Sequence, residues 1–246
     1  MIETLPARVA DIWVYLSEQP LLWLCATLVA YALADILAAW ARRHPLVNPV
    51  LISAALLVAL LLATGTSYPT YFAGAQFVHF LLGPATVALA VPLYRNLSLV
   101  RATLAPMAVA LLAGSLTAIV SATVIAAAFG VPHDLIVSLA PKSVTAPIAM
   151  SLSLRLGGAP TLTAALVIIT GVFGAVAGPP LFDLIRARDP TARGFALGLA
   201  SHGLGAARAF QSGPVEGAFA GVAMGLNGAM TSMLLPALAA LAGGWV

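Results

Sequence analysis

Long apolar runs separated by short polar gaps make up most of this chain. One helix needs about 20 apolar residues to cross a hydrocarbon core about 30 Å thick. Proline and glycine punctuate the runs and predict helical elements at about 21–40, 46–64, 70–95, 104–129, 134–156, 161–186, 193–210 and 216–243. Two of these are expected to be broken. Element 70–95 carries Gly83-Pro84 in its middle and Pro92 later, and element 134–156 carries Pro141 and Pro147 around Lys142, Ser143 and Thr145. Element 193–210 has no proline but is rich in glycine, at positions 194, 198, 203 and 205. Ahead of the first run, Val9, Ile12, Trp13 and Leu16 fall on one helical face, with Arg8, Asp11, Tyr15 and Glu18 on the other. That pattern predicts a short helix lying in the membrane interface. The first run is too long for the h-region of a signal peptide, and Arg42-Arg43 follows it, so it reads as a retained span.

Composition strengthens this reading. Of 246 residues, 61% are hydrophobic and 8% charged, whereas a soluble domain carries about 25% charged residues. The expected fold is therefore an all-α polytopic membrane protein of about seven or eight membrane elements, some broken or re-entrant. A single transmembrane domain is expected over 1–246. Residues 1–45 give the interfacial helix and first span, 46–129 one repeat, 134–156 a broken or re-entrant element, and 160–243 a second repeat. Laying 46–129 on 160–243 puts Pro49 on Pro160 and Gly114 on Gly225, and brings Gly83-Pro84 near Ser201-His202-Gly203 once a loop gap is allowed.

Charge bears on the same question. The net charge of +3 rests on eleven Lys and Arg. Most lie in short gaps: Arg42-Arg43, Arg95 with Arg101, and Arg186, Arg188 and Arg193. If every element crossed once, the last group would fall opposite the first two, against the preference for cytoplasmic Lys and Arg. If 134–156 enters and leaves on one side, all three share the cytoplasm and the two repeats are inverted. Such spacing is not the clustered basic, aromatic-rich patch of a nucleic-acid binder.

Lys142 is the most informative polar residue. A lysine at membrane depth costs about 2.5–3.5 kcal/mol on insertion scales. Pro141 and Pro147 open the helix around it, so Lys142, Ser143, Thr145 and a half-helix N-terminus could form an anion site suited to a small carboxylate. The alternative is a loop lysine snorkelling to headgroups. His202, in the glycine-loosened Gly198–Gly205 stretch, could exchange a proton near neutral pH or simply hydrogen-bond to a neighbouring helix. The candidate substrate-binding set is Lys142, Ser143, Thr145, Ser201, His202 and Pro84. Arg208 reads as a snorkelling residue with substrate contact as the alternative, Glu216 as a boundary residue, and Asn227 as helix–helix glue. Gly217, Gly221 and Gly225 have the small-xxx-small spacing of close helix packing. Gln76 and His79, just before Gly83-Pro84, are minor pathway candidates.

The scattered histidines 44, 79, 133 and 202, with Cys25 as the one cysteine, argue against a metal site or a disulfide. No Walker loop, nucleophile elbow or H-E-x-x-H is present. No cofactor and no enzyme activity are expected.

The strings LLGPATVALAVPLYR (81–95), SLAPKSVTAPIAM (138–150), GGAPTLTAALVIITGVFGAVAGP (157–179), ARGFALGLASHGLGAARAF (192–210) and EGAFAG (216–221) resemble the LrgB/CidB family from about residue 46 to the C-terminus. One departure is Ala206-Ala207, where members often carry a threonine, so a hydroxyl is missing beside His202. The resemblance implies an antiholin-like modulator of murein hydrolase export and lysis. It also implies a carrier of small monocarboxylates of the pyruvate, glycolate and glycerate class, built on inverted repeats with crossed broken helices. A bacterial inner membrane, a smaller LrgA/CidA-type partner and a homo-oligomer, in the simplest case a dimer, are further expectations. The competing class is a holin-like pore-forming or structural membrane protein.

Overall fold

The computed structural model describes residues 19–44, 47–81, 84, 87–88 and 90–241. The expected interfacial helix and Gly83 lie outside the described residues. The described chain is helical, without a strand, and divides into two compact units, Met1–Ala88 and Leu89–Val246.

The first unit holds α1 (Pro20–Trp40), α2 (Pro49–Thr64) and α3 (Tyr68–Phe80). Prolines start all three helices, where a missing N–H costs nothing. Asn48 caps α2 by accepting from the Val50 N–H at 2.9 Å, and Gly65 ends it at φ 64°. α1 and α3 meet at the fully buried Trp23, whose ring meets that of Tyr71 edge-on, 6.0 Å between centroids. Asp35, an acid on the apolar α1, is neutralised by Arg43 just past the helix end.

The second unit holds α4 (Ala90–Arg95), α5 (Leu97–Ala102), α6 (Leu104–Ala128), α7 (His133–Leu139), α8 (Ala146–Arg155), α9 (Pro160–Leu184), α10 (Pro190–Ser212) and α11 (Pro214–Leu241). Four helices among the described residues are long and apolar enough to span a bilayer: α1, α6, α9 and α11. Their outer faces are bare hydrocarbon, as at Val109, Phe173 and Met233, each at least 70% exposed. A face of this kind needs lipid or another apolar partner.

Of the two expected breaks, the one at Gly83-Pro84 falls largely outside the described residues, with α3 ending at Phe80, and element 134–156 is divided into α7 and α8. Element 134–156 folds back on itself. Ser138 and Ser153 would stand about 22 Å apart on one straight helix. Instead Thr163 Oγ1 lies 3.0 Å from the Ser138 carbonyl oxygen and 2.8 Å from Ser153 Oγ. α7 and α8 are thus the limbs of a short hairpin whose tip is residues 140–145.

Element 193–210, expected as one glycine-rich helix, folds back as well. His202 sits at φ 44°, ψ −131°, and divides α10 into two limbs. A Cβ at Gly205 would lie 2.2 Å from the Leu197 carbonyl oxygen, although eight helical residues span about 12 Å. The packing on α11 agrees. Along the first limb, Gly194 abuts Glu216 and Gly198 abuts Ala220, a parallel run, whereas Phe210 of the second limb returns to Gly217.

The two hairpins point at each other along α9. The first lies beside the start of α9, at Thr163, and its tip residue Val144 packs with Val167. The second runs back from the other end of α9. Arg193 bonds Asp183 at 2.7 Å, Leu197 packs over Gly178, Ser201 over Gly174 and His202 over Gly171. α6 runs alongside the first limb of α10, with Met107 packed in one cluster with Phe195 and Gly114 against Leu199. Arg95, Arg101, Arg186, Arg188, Arg193 and Arg208 therefore gather at one end of this unit, and Arg155 lies at the other.

Candidate functional site

Asn227 is the residue on which the two tips converge. It is fully buried in the middle of α11, and an amide side chain can make two donations and two acceptances. All four are made. Nδ2 donates to the Ser143 carbonyl at 3.2 Å and to the Leu199 carbonyl at 2.9 Å. Oδ1 accepts from Ser115 Oγ, in the middle of α6, at 2.7 Å and from Thr231 Oγ1 at 3.2 Å. One nitrogen thus binds a carbonyl at each break. Breaks expose carbonyls because the last turn of a helix has no intrahelical donor for them. The reading of Asn227 as glue is right in kind, but the joint is between two hairpin tips as well as two spans.

The first tip carries Pro141, Lys142, Ser143, Val144 and Thr145. Pro141, Ser143 and Val144 are buried, and Lys142 and Thr145 are partly buried. Among the described residues the Lys142 ammonium has no ion-pair or hydrogen-bond partner. Ser143 Oγ is buried without a partner. Thr145 is the N-cap of α8, in extended conformation, and its hydroxyl does not bond the first turn. With Pro147 removing a donor, the remaining N–H groups at this helix start face the tip.

The second tip is Ser201-His202, both buried. His202 Nε2 lies 2.9 Å from the Val167 carbonyl. A carbonyl only accepts, so Nε2 carries the hydrogen and fixes the tautomer. The φ, ψ pair of His202 belongs to a region that non-glycine residues avoid, at a cost of about 1–3 kcal/mol. Ser201 Oγ is buried without a partner. Glycines of α9 make room for this tip: a Cβ at Gly171 would lie 2.6 Å from His202 Cε1, and one at Gly174 only 1.7 Å from Ser201 Oγ.

Five of the six candidates, Lys142, Ser143, Thr145, Ser201 and His202, thus lie on two tips joined through Asn227. Pro84, exposed, belongs to the first unit, and the cluster is built from the second unit alone. His79 and Gln76 are exposed on α3. Glu216 stands at the expected boundary, in the first turn of α11, and is buried there, and Gly225 of the glycine stripe faces open space while Gly217 packs on Phe210. Ser138, Ser153 and Thr163 gave no signal in sequence because small hydroxyl residues are common on apolar helices. The glycines of α9 stood in plain view without a visible partner.

Two cavities approach the tips from opposite ends. One, of about 520 Å³, runs from Thr103, Asp189 and Thr191 to Gly114, Leu199 and Ala200 beside the second tip. The other, of about 530 Å³, runs from Arg155 and Ser151 to Pro147 and Ile148 in the first turn of α8. Asp189, at the arginine-rich end, caps α10. Bonds from the Thr191 hydroxyl and N–H hold its carboxyl below the usual aspartate range. No group of three or more His, Cys, Asp or Glu placed to hold a metal occurs among the described residues.

Apolar spans, two opposed helical hairpins and a polar joint at mid-helix define an integral membrane protein with an interior polar centre. The chain belongs to the LrgB-like family, whose profile matches residues 27–241. It is 37% identical over 197 residues to YxaC of Bacillus subtilis, a protein named only as uncharacterized, covering 79% of this chain and 86% of that one. It is 34% identical to the holin-like protein CidB of Staphylococcus epidermidis, over 80% of this chain and 86% of CidB. With the Staphylococcus aureus holin-like protein CidB it shares 33% identity over 220 residues, 89% of this chain and 96% of that one. No solved structure matches.

Proposed function

We propose that this protein is a carrier of small monocarboxylates, of the pyruvate, glycolate and glycerate class, in a bacterial inner membrane. The observation that carries the reading is the meeting of two opposed hairpin tips that hold an unpaired lysine and two buried hydroxyls without partners, Ser143 Oγ and Ser201 Oγ. A buried hydroxyl left unpaired costs about 1–3 kcal/mol, which a bound carboxylate oxygen would offset. Lys142 supplies the charge, the start of α8 supplies N–H donors, and Ser143, Thr145, Ser201 and His202 supply hydrogen bonds. Each hairpin enters and leaves on its own side, and each cavity serves one side. Alternate opening of the two cavities would pass a ligand from one face to the other. The arginine-rich end is cytoplasmic by the positive-inside rule.

Uptake of radiolabelled pyruvate, glycolate and glycerate into proteoliposomes tests this. Saturable flux that falls at least tenfold in Lys142→Ala, with the protein still folded, is expected. Undiminished flux in that variant removes the site.

The holin-like name of the CidB relatives favours a second reading, a holin-like pore. Release of a trapped fluorescent dye from the same vesicles, without selectivity or saturation, is its signature.

A further inference from the structure

Glu216 is a buried carboxylate that the proposed binding centre does not use. It lies in the first turn of α11, 6% exposed, and its Oε1 is buried with no hydrogen-bond partner. It stands where both limbs of the second hairpin meet α11. A Cβ at Gly194, on the first limb, would lie 2.0 Å from the Glu216 carbonyl oxygen. The next residue, Gly217, abuts the Phe210 ring on the second limb, where a Cβ would come within 2.2 Å. The charges acting on the carboxylate come from each element around it: Arg193 on the first limb, Arg208 on the second and Asp183 on α9. Arg193 is already engaged, donating to Asp183 at 2.7 Å and to the Ala187 carbonyl at 3.3 Å. Arg208 donates to Gln211 at 2.9 Å. α4 also packs on α11, and its Arg95 is exposed.

We propose that Glu216 is a proton-binding site that couples ligand movement to the proton gradient, a role that rests on the carrier reading above. A carboxylate shut away from water with an oxygen that has no hydrogen-bond partner is costly to keep ionised, which favours its taking up a proton. Here one arginine stands on each hairpin limb, and the acid lies between them. Ionised, Glu216 attracts both limbs toward α11. Taking up one proton makes it a neutral acid, changes no other bond, and leaves the foot of the hairpin with one more net positive charge. The limbs are then held less tightly, and the tip they carry, Ser201-His202, belongs to the binding centre. A proton fits better than a metal cation. The arginines oppose a second cation, and a hard metal ion needs several oxygen ligands, whereas the other acid acting on this one, Asp183, is engaged by Arg193.

The test uses full-length protein and Glu216→Gln, which keeps the shape and removes the titration. In proteoliposomes, radiolabelled pyruvate is followed in two modes: exchange at equal pH on both sides, and accumulation driven by an imposed proton gradient. The variant is expected to keep exchange within about twofold and lose accumulation at least tenfold, with Glu216→Asp recovering part of it. Gradient-driven accumulation equal to wild type in Glu216→Gln overturns the proposal. Infrared difference spectra against pH give a reading independent of flux. The carbonyl band of a protonated acid is expected in wild type and absent in Glu216→Gln, and identical spectra also overturn the site. If neither protein moves pyruvate, the carrier reading falls, and with it the coupling role. The infrared titration then decides only whether Glu216 binds a proton.

Discussion

Asn227 fills all four of its hydrogen-bonding positions inside the second unit. Replacing it with Ala leaves the carbonyls of Ser143 and Leu199 and the hydroxyls of Ser115 and Thr231 without their partner. Each unpaired buried group carries a penalty of about 1–3 kcal/mol, partly relieved where water enters. Asn227→Ala is expected to lower stability by roughly 2 kcal/mol, read as an earlier unfolding midpoint of the detergent-purified protein. A midpoint equal to wild type would mean that the two tips hold together without it. The sequence allowed this residue to be read as glue, because an amide among apolar residues seeks a partner. It could not name the partners, which lie 28 and 84 positions away on two separate breaks.

At the scale of elements, the boundaries followed from composition. The expected 104–129, 161–186 and 216–243 are observed as Leu104–Ala128, Pro160–Leu184 and Pro214–Leu241. Proline marked the first hairpin because it removes donors and opens a helix. The second hairpin turns at His202, a residue with no intrinsic preference for that conformation, so local sequence gave only the loosening glycines. What permits the turn is α9, whose Gly171 and Gly174 leave space for His202 and Ser201. Gly174→Val is expected to displace Ser201 and cut pyruvate flux at least tenfold. Gly225→Ala, whose added carbon meets open space, serves as the matched control and is expected to transport as wild type does. Equal flux in both variants would separate the Ser201 tip from the pathway.

For the whole molecule, the proposed carrier arrangement has α9 crossing the membrane while neither hairpin does. In a Cys25→Ser background, which removes the exposed native thiol, single cysteines at Ala159 and Arg188 report the two ends of α9. A membrane-impermeant maleimide is expected to label Ala159→Cys in intact cells, and Arg188→Cys only after permeabilisation. Labelling of both from one side would refute the crossing. The asymmetry of arginines, six at one end and Arg155 at the other, is the basis for that expected orientation.

By itself the sequence determined that this is a helical membrane protein, where four of its long apolar helices run, and that a lysine with flanking prolines interrupts element 134–156. Those features are local: hydrocarbon demands about 20 apolar residues per span, and proline acts on its own turn. Tertiary structure alone decided that the glycine-rich segment folds back, that the two tips face each other across Asn227, and that Glu216, at the start of α11, is buried. These outcomes depend on which distant helix supplies the space or the hydrogen-bond partner, and nothing in the order of residues along a single apolar run specifies that.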